Sequence, residues 1–313
     1  MSEGVLVIGS LSLDMVFGVP YRPARGETIK ADSYQTFVGG KGNNQALAAA
    51  RAGAKTAMIG RVGNDSYADM IISTLQEAGA DASLVIKDPD VGTGLANIYI
   101  DPQGDNSIVI ATRSNENLCP QDIDDAIDKI RASKIVVLQL ESPLMTVTHA
   151  AQVAKEEGQI VLLNPAPAPQ DGKLPPELLR NVDIFVPNES EATLLTGIKV
   201  NSKETALRAA ELLQSSGIKT VLVTLGDKGV VGVDENKNEL YAPAFPVKVQ
   251  DTTAAGDAFV GALAARLAAG DDIKTALRFA CAGGALATTK LGASASLPTK
   301  AEIEDLMLSS RAV

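Results

Sequence analysis

The chain has 313 residues, 45% of them hydrophobic and 4% aromatic, without tryptophan, which suits one large α/β domain or two modest ones and fits close helix-on-sheet packing better than a β-sandwich. A formal net charge of −10 with no basic run argues against nucleic acid as a partner, because backbone phosphates demand clustered Lys and Arg. Cys119 and Cys281 stand alone, without Cys-x-x-Cys spacing, so neither a disulfide framework nor a thiolate zinc site is supported, and a reducing cytoplasm is the simplest home.

The opening MSEGVLVIGS has no basic n-region and a short apolar run, so it reads as a first buried strand rather than a signal peptide. No segment approaches the apolar length of a membrane span. From about Ala54 a short β-branched run is repeatedly followed by a stretch rich in Ala, Leu and Glu, the rhythm of a parallel sheet. The clearest strands are VLVIG, KIVVLQL around Val136, QIVLLN around Val161, VDIFVPN around Phe185 and KTVLVTLG around Val221. Their continuous apolar character is that of strands covered on both faces.

Two stretches break the rhythm: Met15 to Phe37, and Gly92 to Ile110, where LANIYIDPQGDNSIVIA suggests a hairpin turning at Gln103 to Asn106. These predict a small antiparallel sheet, serving as a lid, as a dimer surface or simply as a sheet extension. The Pro-rich NPAPAPQDGKLPPE follows a strand end and reads as a rigid connection near the crevice rather than an interdomain linker. One domain over 1–313 is therefore expected, with lid strands within 12–40 and 92–112. His149, the only histidine, falls on a predicted helix and reads as a surface residue, so general-base work passes to a carboxylate, Lys or Cys.

Ligands of an open parallel sheet bind beyond the carboxyl ends of its strands. The polar residues there are Glu141, Asn164, Asn188 with Glu189 and Glu191, and Thr224 with Gly226. In DTTAAGDAFVGALAARLAAG, Asp251 to Gly270, small residues open an Ala-rich helix at about Ala255. The NH groups of Ala254, Ala255, Gly256 and Asp257 are expected to face an anion there. Asp257 is open at this point to two readings, helix capping and catalysis. In VGGKGNNQALAAARAGA, Val38 to Ala54, Gly39, Gly40 and Gly42 surround Lys41 ahead of Asn43 and Asn44. No Walker A loop can be read there, and the set suits a small polyhydroxylated ligand.

GGKGNNQA with DTTAAGDAF, joined by NPAPA, PNESEA, VTLGDKGV and the Asp of GSLSLDM in the same order, resembles the ribokinase family of carbohydrate kinases along nearly the whole chain. The resemblance implies a three-layer fold with a mostly parallel central sheet flanked by helices and a small antiparallel β lid. It implies transfer of the γ-phosphoryl of ATP to the 5-hydroxyl of D-ribose, with 2-deoxyribose, another sugar or a nucleoside as alternative acceptors. The lid strands lack helices to cover both faces, so a homodimer through the lid is expected. A non-catalytic sugar sensor and a dinucleotide oxidoreductase are the other classes, the latter lacking a G-x-G-x-x-G after the first strand.

By the same resemblance Asp257 is the base, beside an anion hole of Ala254, Ala255 and Gly256. Ser12, Asp14, Gly40, Lys41, Asn44 and Glu141 meet the sugar, with Ala96 and Ile98 as apolar contacts. Asn188, Thr224, Gly226, Gly229, Gly256 and Cys281 lie on the nucleotide side. Asn188 and Glu191 act on Mg²⁺ through water, and Asp251, Thr253, Ala287, Lys290, Gly292 and Ser296 form a K⁺ loop. Ser12 in place of an Asn, RSN at Arg113 to Asn115 in place of Gly-Ala-Asn, and Cys281 in place of Asn or His depart from the family pattern. The first two bear on the choice of sugar.

Overall fold

A computed structural model describes residues 3–310. In chain order its strands are β1 (Val5–Ile8), β2 (Ser12–Gly18), β3 (Ser33–Gly39), β4 (Thr56–Gly63), β5 (Asp81–Asp88), β6 (Gly94–Ile100) and β7 (Asn106–Ala111). They continue with β8 (Ile135–Leu138), β9 (Ile160–Leu163), β10 (Ile184–Phe185), β11 (Thr220–Thr224), β12 (Val230–Val233) and β13 (Glu239–Ala242). A 9-stranded sheet runs β13-β12-β11-β10-β9-β8-β1-β4-β5, and a 4-stranded sheet runs β3-β2-β6-β7.

Alternation along each central strand divides the interior into two cores, as the pleat requires. Val5, Val7, Ile135, Val137 and Leu162 face the helices Lys41–Arg51, Ala255–Ala268 and Ile273–Ala287. Leu6, Ile8, Val136, Leu138, Val161 and Leu163 face the opposite layer, which includes Ala150 and Ala151 of helix Leu144–Glu156 and Ala206 and Ala210 of helix Lys203–Gln214. Burial of each such aliphatic side chain contributes about 1.5–3 kcal/mol. The expected three-layer α/β architecture and all five clearest strands are present.

All neighbouring pairs from β5 to β11 are parallel, so their carboxyl ends share one edge, where Glu141, Asn164, Asn188 and Thr224 gather. An isolated parallel bridge between Asn188 and Thr224 extends the pairing of β10 and β11. An antiparallel hairpin, β12–β13, closes the far end of the sheet. The sequence reading had no strands there, although VVGV and ELYA flank a turn held by Asp234, whose carboxylate accepts from the backbone NH of Asn236 and Asn238.

The small sheet corrects the expectation of an antiparallel one. β2 pairs antiparallel with β3, and β6 with β7, but the central pair β2–β6 is parallel. Both strands leave the same edge of the large sheet, β2 directly after β1 and β6 directly after β5, so they set off in the same direction. The hairpin turn also lies earlier than expected: Asn106 already pairs with Ile100, and Asp101 accepts from the backbone of Gln103 and Asp105.

Two helices carry the site, and small residues let them approach each other. A Cβ on Gly261 would lie 2.5 Å from Ala48 Cβ and 2.6 Å from the Gln45 carbonyl oxygen. At Gly42 a Cβ would lie 2.6 Å from the backbone nitrogen of Ser10. Helix Lys41–Arg51 is thereby pressed against both helix Ala255–Ala268 and the end of β1.

Candidate active site

Asp257 lies in the first turn of helix Ala255–Ala268, and only 8% of its surface is exposed. Asn44 Nδ2 donates to its Oδ2 at 3.0 Å, and Gln45 Nε2 donates to its Oδ1 at 3.0 Å. Burial pushes this carboxyl above its ordinary range, against the opposing pull of Lys41 and of the Gln45 and Asn44 amides. Capping does not explain the geometry, since both carboxylate oxygens point to a neighbouring helix.

Ahead of Asp257, Ala254 adopts a left-handed conformation, φ 59° and ψ 9°, at a cost of about 1–3 kcal/mol for a residue with a Cβ. That twist opens the helix N-terminus, and a Cβ built on Gly256 meets nothing within 4 Å. The backbone of Gly256 is open to an incoming group. One donor of the expected anion hole is already engaged: Ala255 N donates to Thr252 O at 3.3 Å. The turn folds back on itself there, which leaves Ala254, Gly256 and Asp257 as the donors for an anion.

Lys41 begins the other helix, after Gly40 at φ 90°, a conformation that favours glycine. Its backbone NH donates to Glu141 Oε2 at 3.0 Å, and its ammonium lies 4.0 Å from Glu141 Oε1. Ser10 Oγ donates to the same Oε2 at 2.6 Å. Burial alone would lower the Lys41 ammonium, but Asp257, Glu141, Glu191 and Asp14 together hold it above its ordinary value.

Asp14 on β2 pairs with Phe37 on β3 and Ala96 on β6, and Ile98 sits two residues further along the same face. A Cβ at Gly39 would strike the Asp14 carboxylate at 2.3 Å, so glycine there leaves room for the carboxyl. Burial, then the negative charges of Glu141 and Asp257, raise Asp14 to about 7, against the pull of Lys41. Ser12, at the start of β2, pairs with Gly39 and Gly94. Just ahead of it, Asn115 grips Leu11, taking its NH and donating to its carbonyl, each at 2.9 Å. Arg113, at φ 50°, donates to Thr93 O at 3.1 Å and braces the entry to β6.

Two cavities meet at this helix terminus. The larger, about 540 Å³, is walled by Phe245, Val247, Phe259 and Cys281 and reached past Thr224, Gly226 and Gly229. Burial pushes the Cys281 thiol up to about 12, so it is a neutral apolar wall. The smaller, about 220 Å³, is lined by Lys41, Asn164, Asn188, Glu191, Ala254 and Asp257. Thr224, Thr252 and Gly256 line both. The pair forms an elongated apolar-to-polar channel ending at a buried carboxylate.

Asn188 and Glu191 form a reciprocal cap of helix Glu189–Thr196: Asn188 Oδ1 accepts from Glu191 N at 2.8 Å, and Glu191 Oε2 from Asn188 N at 2.9 Å. Burial raises Glu191 despite that bond and Lys41. Among the described residues no group of three His, Cys, Asp or Glu side chains is placed to hold a metal ion. A divalent ion would fit here through water and a ligand's own oxygens, as Mg²⁺ prefers.

Of the six residues of the expected K⁺ loop, the structure ties three together. Asp251 Oδ1 accepts from Thr253 N at 2.9 Å and Thr253 Oγ1 at 2.6 Å, and its Oδ2 from Gly292 N at 3.0 Å. Ala287 ends helix Ile273–Ala287, Lys290 Nζ turns to Glu302 at 2.9 Å, and Ser296 Oγ donates to Ala293 O at 2.9 Å.

A family model described as pfkB family carbohydrate kinase matches residues 2–300. The chain belongs to the pfkB family of carbohydrate kinases. The ribokinase of Haemophilus influenzae is 40% identical over 302 residues, spanning 96% of this chain and 97% of that protein. The deoxyribokinase of Salmonella typhi is 37% identical over 295 residues, spanning 94% and 95%. The structure of Arabidopsis thaliana ribokinase with ribose and ATP matches this kinase fold with a TM-score of 0.92 at 33% identity, covering 98% of this chain and 99% of that one.

Sequence reasoning passed over Ser10, Gln45, Gln139 and Phe37. Gln45 is fully buried, yet within GGKGNNQA it reads as one more helix former; only its packing on Asp257 reveals it.

Raising Asp14 makes its charge a burden on the ligand-free fold. Above about pH 7 Asp14 is ionised in the folded chain at the full cost of its burial, and that penalty fades as pH falls through 7 toward its ordinary value. Asp14→Asn is therefore expected to raise the Tm of the ligand-free protein by about 2–4 °C at pH 8, less at pH 5, and not at all below about pH 4. Calorimetric melts across that range check it; a gain that grows toward acid pH would contradict it.

Proposed function

We propose that this kinase transfers the γ-phosphoryl of ATP to the 5-hydroxyl of D-ribose, giving ribose 5-phosphate and ADP. The observation that carries the reading is Asp257: a buried carboxylate at an open helix N-terminus, where an apolar cleft and a polar cavity meet. The likeness to named ribokinases, one of them solved with ribose and ATP, supports the acceptor.

In this reading Asp14 accepts from two vicinal hydroxyls, while Ser12, Gly40, Lys41, Asn44 and Glu141 fix the ring and Ala96 and Ile98 cover it. The primary hydroxyl then faces Asp257. Adenine lies in the cleft beside Cys281, with Thr224, Gly226 and Gly229 near the phosphates. The hydroxyl oxygen forms a bond to the γ-phosphorus as the bond to the β–γ bridging oxygen breaks, and the proton passes to Asp257. Most of the acceleration comes from alignment and from the NH groups of Ala254, Gly256 and Asp257 on the spreading charge. Asn188 and Glu191 would hold Mg²⁺ through water, and that ion would offset phosphate charge beside Asp257 and Glu191. The enzyme is read as cytoplasmic; among the described residues no helix is long and apolar enough to cross a membrane.

A coupled ADP-release assay tests the function. Ribose is expected to exceed 2-deoxyribose by about ten- to a hundredfold in kcat/KM, because a missing 2-hydroxyl leaves Asp14 with an unpaired acceptor. Deoxyribose ranking first would transfer the assignment to the activity named for the Salmonella typhi relative. Asp257→Asn is expected to lower kcat by about a hundredfold or more while nucleotide binding persists; near-normal turnover would remove Asp257 as the base.

Asp251, Thr253, Ala287, Lys290, Gly292 and Ser296 are proposed to hold K⁺, with side-chain oxygens from Asp251 and Ser296 and backbone carbonyls from the other four. Bound there, K⁺ would order the turn ahead of Asp257. Replacing K⁺ by a large organic cation at constant ionic strength is expected to cut kcat sharply, and unchanged activity would dismiss this site.

The small sheet is read as a lid belonging to one domain over 1–313, of which residues 1–2 and 311–313 lie outside the described part. Ile98 shares the Asp14 face, and Ile108 and Ile110 extend it on β7, 51% and 59% exposed. Covering that face by a second copy gives a lid-to-lid homodimer. Sedimentation at micromolar concentration is expected to give the dimer mass; a monomer alone would refute it.

A further inference from the structure

The Asp257 carboxylate is gripped by side chains that are themselves gripped. Gln45 Nε2 donates both to Asp257 Oδ1 and to Asn164 Oδ1, each at 3.0 Å. Gln45 Oε1 accepts from Gln139 Nε2 at 2.7 Å. Asn164 is oriented in turn by donating Nδ2 to Val186 O at 2.8 Å. Gln45 is 0% exposed and Gln139 1%, so neither amide exchanges these partners for water.

Chemistry fixes the direction of this chain of amides. An ionised carboxylate only accepts hydrogen bonds, so Gln45 must present its NH₂ to Asp257. Its carbonyl oxygen then points away and requires a donor, and Gln139 supplies one. Turning Gln45 over would set its oxygen against Asp257 Oδ1 and Asn164 Oδ1, three acceptors together in a dry site. Gln139 Oε1 is buried with no partner among the described residues and occupies the space a Cβ on Gly9 would fill, so the donation to Gln45 is the one bond that sets this amide, and turning it over would place its oxygen against Gln45 Oε1.

We propose that Gln45 is a positioning residue for Asp257, locked in its donating orientation by Gln139, so that the carboxylate stays ionised and aimed at the acceptor hydroxyl. This rests on the reading of Asp257 as the base. Burial works against the ionised form. Of the ionisable groups facing Asp257, Lys41 favours its charge, while Glu141, Glu191 and Asp14 oppose it. The neutral donors Gln45 and Asn44 supply what Lys41 does not, and of the two only Gln45 lies outside the residues assigned to the sugar.

Gln45→Leu tests this. Losing a donor to the ionised form raises the pKa of Asp257, so the acid limb of the kcat profile at saturating sugar and ATP is expected to move up by about one to two pH units. At neutral pH kcat is expected to fall about ten- to a hundredfold, with both KM values within about twofold of wild type. Gln139→Met, which leaves Gln45 in place but unlocked, should move the limb in the same direction by less. In an Asp257→Asn background, Gln45→Leu should cost no further kcat.

A purely structural role would lower Tm and leave the limb where it was. That result in either folded variant would overturn the proposal. Should neither variant fold, wild-type chain carrying ¹⁵N-labelled glutamine side chains decides: an amide signal that titrates with the kcat limb and is flat in Asp257→Asn supports it, and the absence of such a signal overturns it. Full activity in Asp257→Asn would instead refute the base assignment, a result distinct from a silent Gln45→Leu beside an inactive Asp257→Asn.

Discussion

Burying the Asp257 carboxylate between two helices costs several kcal/mol unless donors meet it, and the way this chain meets that cost determines much of the surrounding sequence. The donors come from helix Lys41–Arg51, so that helix must lie close enough for Asn44 and Gln45 to reach across at 3.0 Å. Closeness in turn demands alanine and glycine at the contact, as at Ala48 and Gly261. The Ala-rich character of both helices follows from a distance requirement at one carboxylate. Packing and chemistry are here the same constraint.

The charge balance of the site completes the picture. Asp14, Glu141, Glu191 and Asp257 all act on Lys41, and burial raises three of these carboxyls, Asp14, Glu191 and Asp257. Such an arrangement is poorly suited to receive a triphosphate alone, and well suited to receive one accompanied by a divalent cation. It is also suited to a polyol, whose hydroxyls can donate to Asp14, a carboxylate that accepts no hydrogen bond from the described residues. The excess of acceptors is unfavourable in the free enzyme and is relieved by the ligands, which is how binding energy becomes specific to them.

Much of this was legible in the sequence, for identifiable reasons. Five of the parallel strands, β1, β8, β9, β10 and β11, announced themselves because their centres are buried on both faces and read as apolar runs, whereas β4 and β5 carry charged residues such as Arg61 and Lys87. Both glycine-containing turns stood out because close backbone approach excludes ordinary side chains. What stayed hidden depends on long-range geometry. The parallel pairing of β2 and β6 follows from which edge the chain leaves, a property of β1 and β5 rather than of the two strands themselves. The β12–β13 hairpin, two strands of 4 residues each, was too short to register. Gln45 reads as a helix former, because its role exists only once Asp257, more than two hundred residues later, is set beside it.

The small sheet is anchored to the site at more than its connections. Asn115 clamps Leu11, fixing where β2 leaves the large sheet, and Arg113 ties the start of β6 through Thr93. On the other side, a Cβ at Gly292 would lie 2.8 Å from the Phe37 ring, and the Gly292 NH is held by Asp251 at 3.0 Å. Phe37 is the β3 partner of Asp14, and Asp251 introduces the turn that ends at Asp257. The position of Asp14 and the shape of the turn before Asp257 are thus linked through two contacts, Phe37 to Gly292 and Gly292 to Asp251. Glycine suits position 292 twice over: its φ of 89° is one that other residues rarely adopt, and a Cβ there would press on the Phe37 ring that joins the two halves of the site.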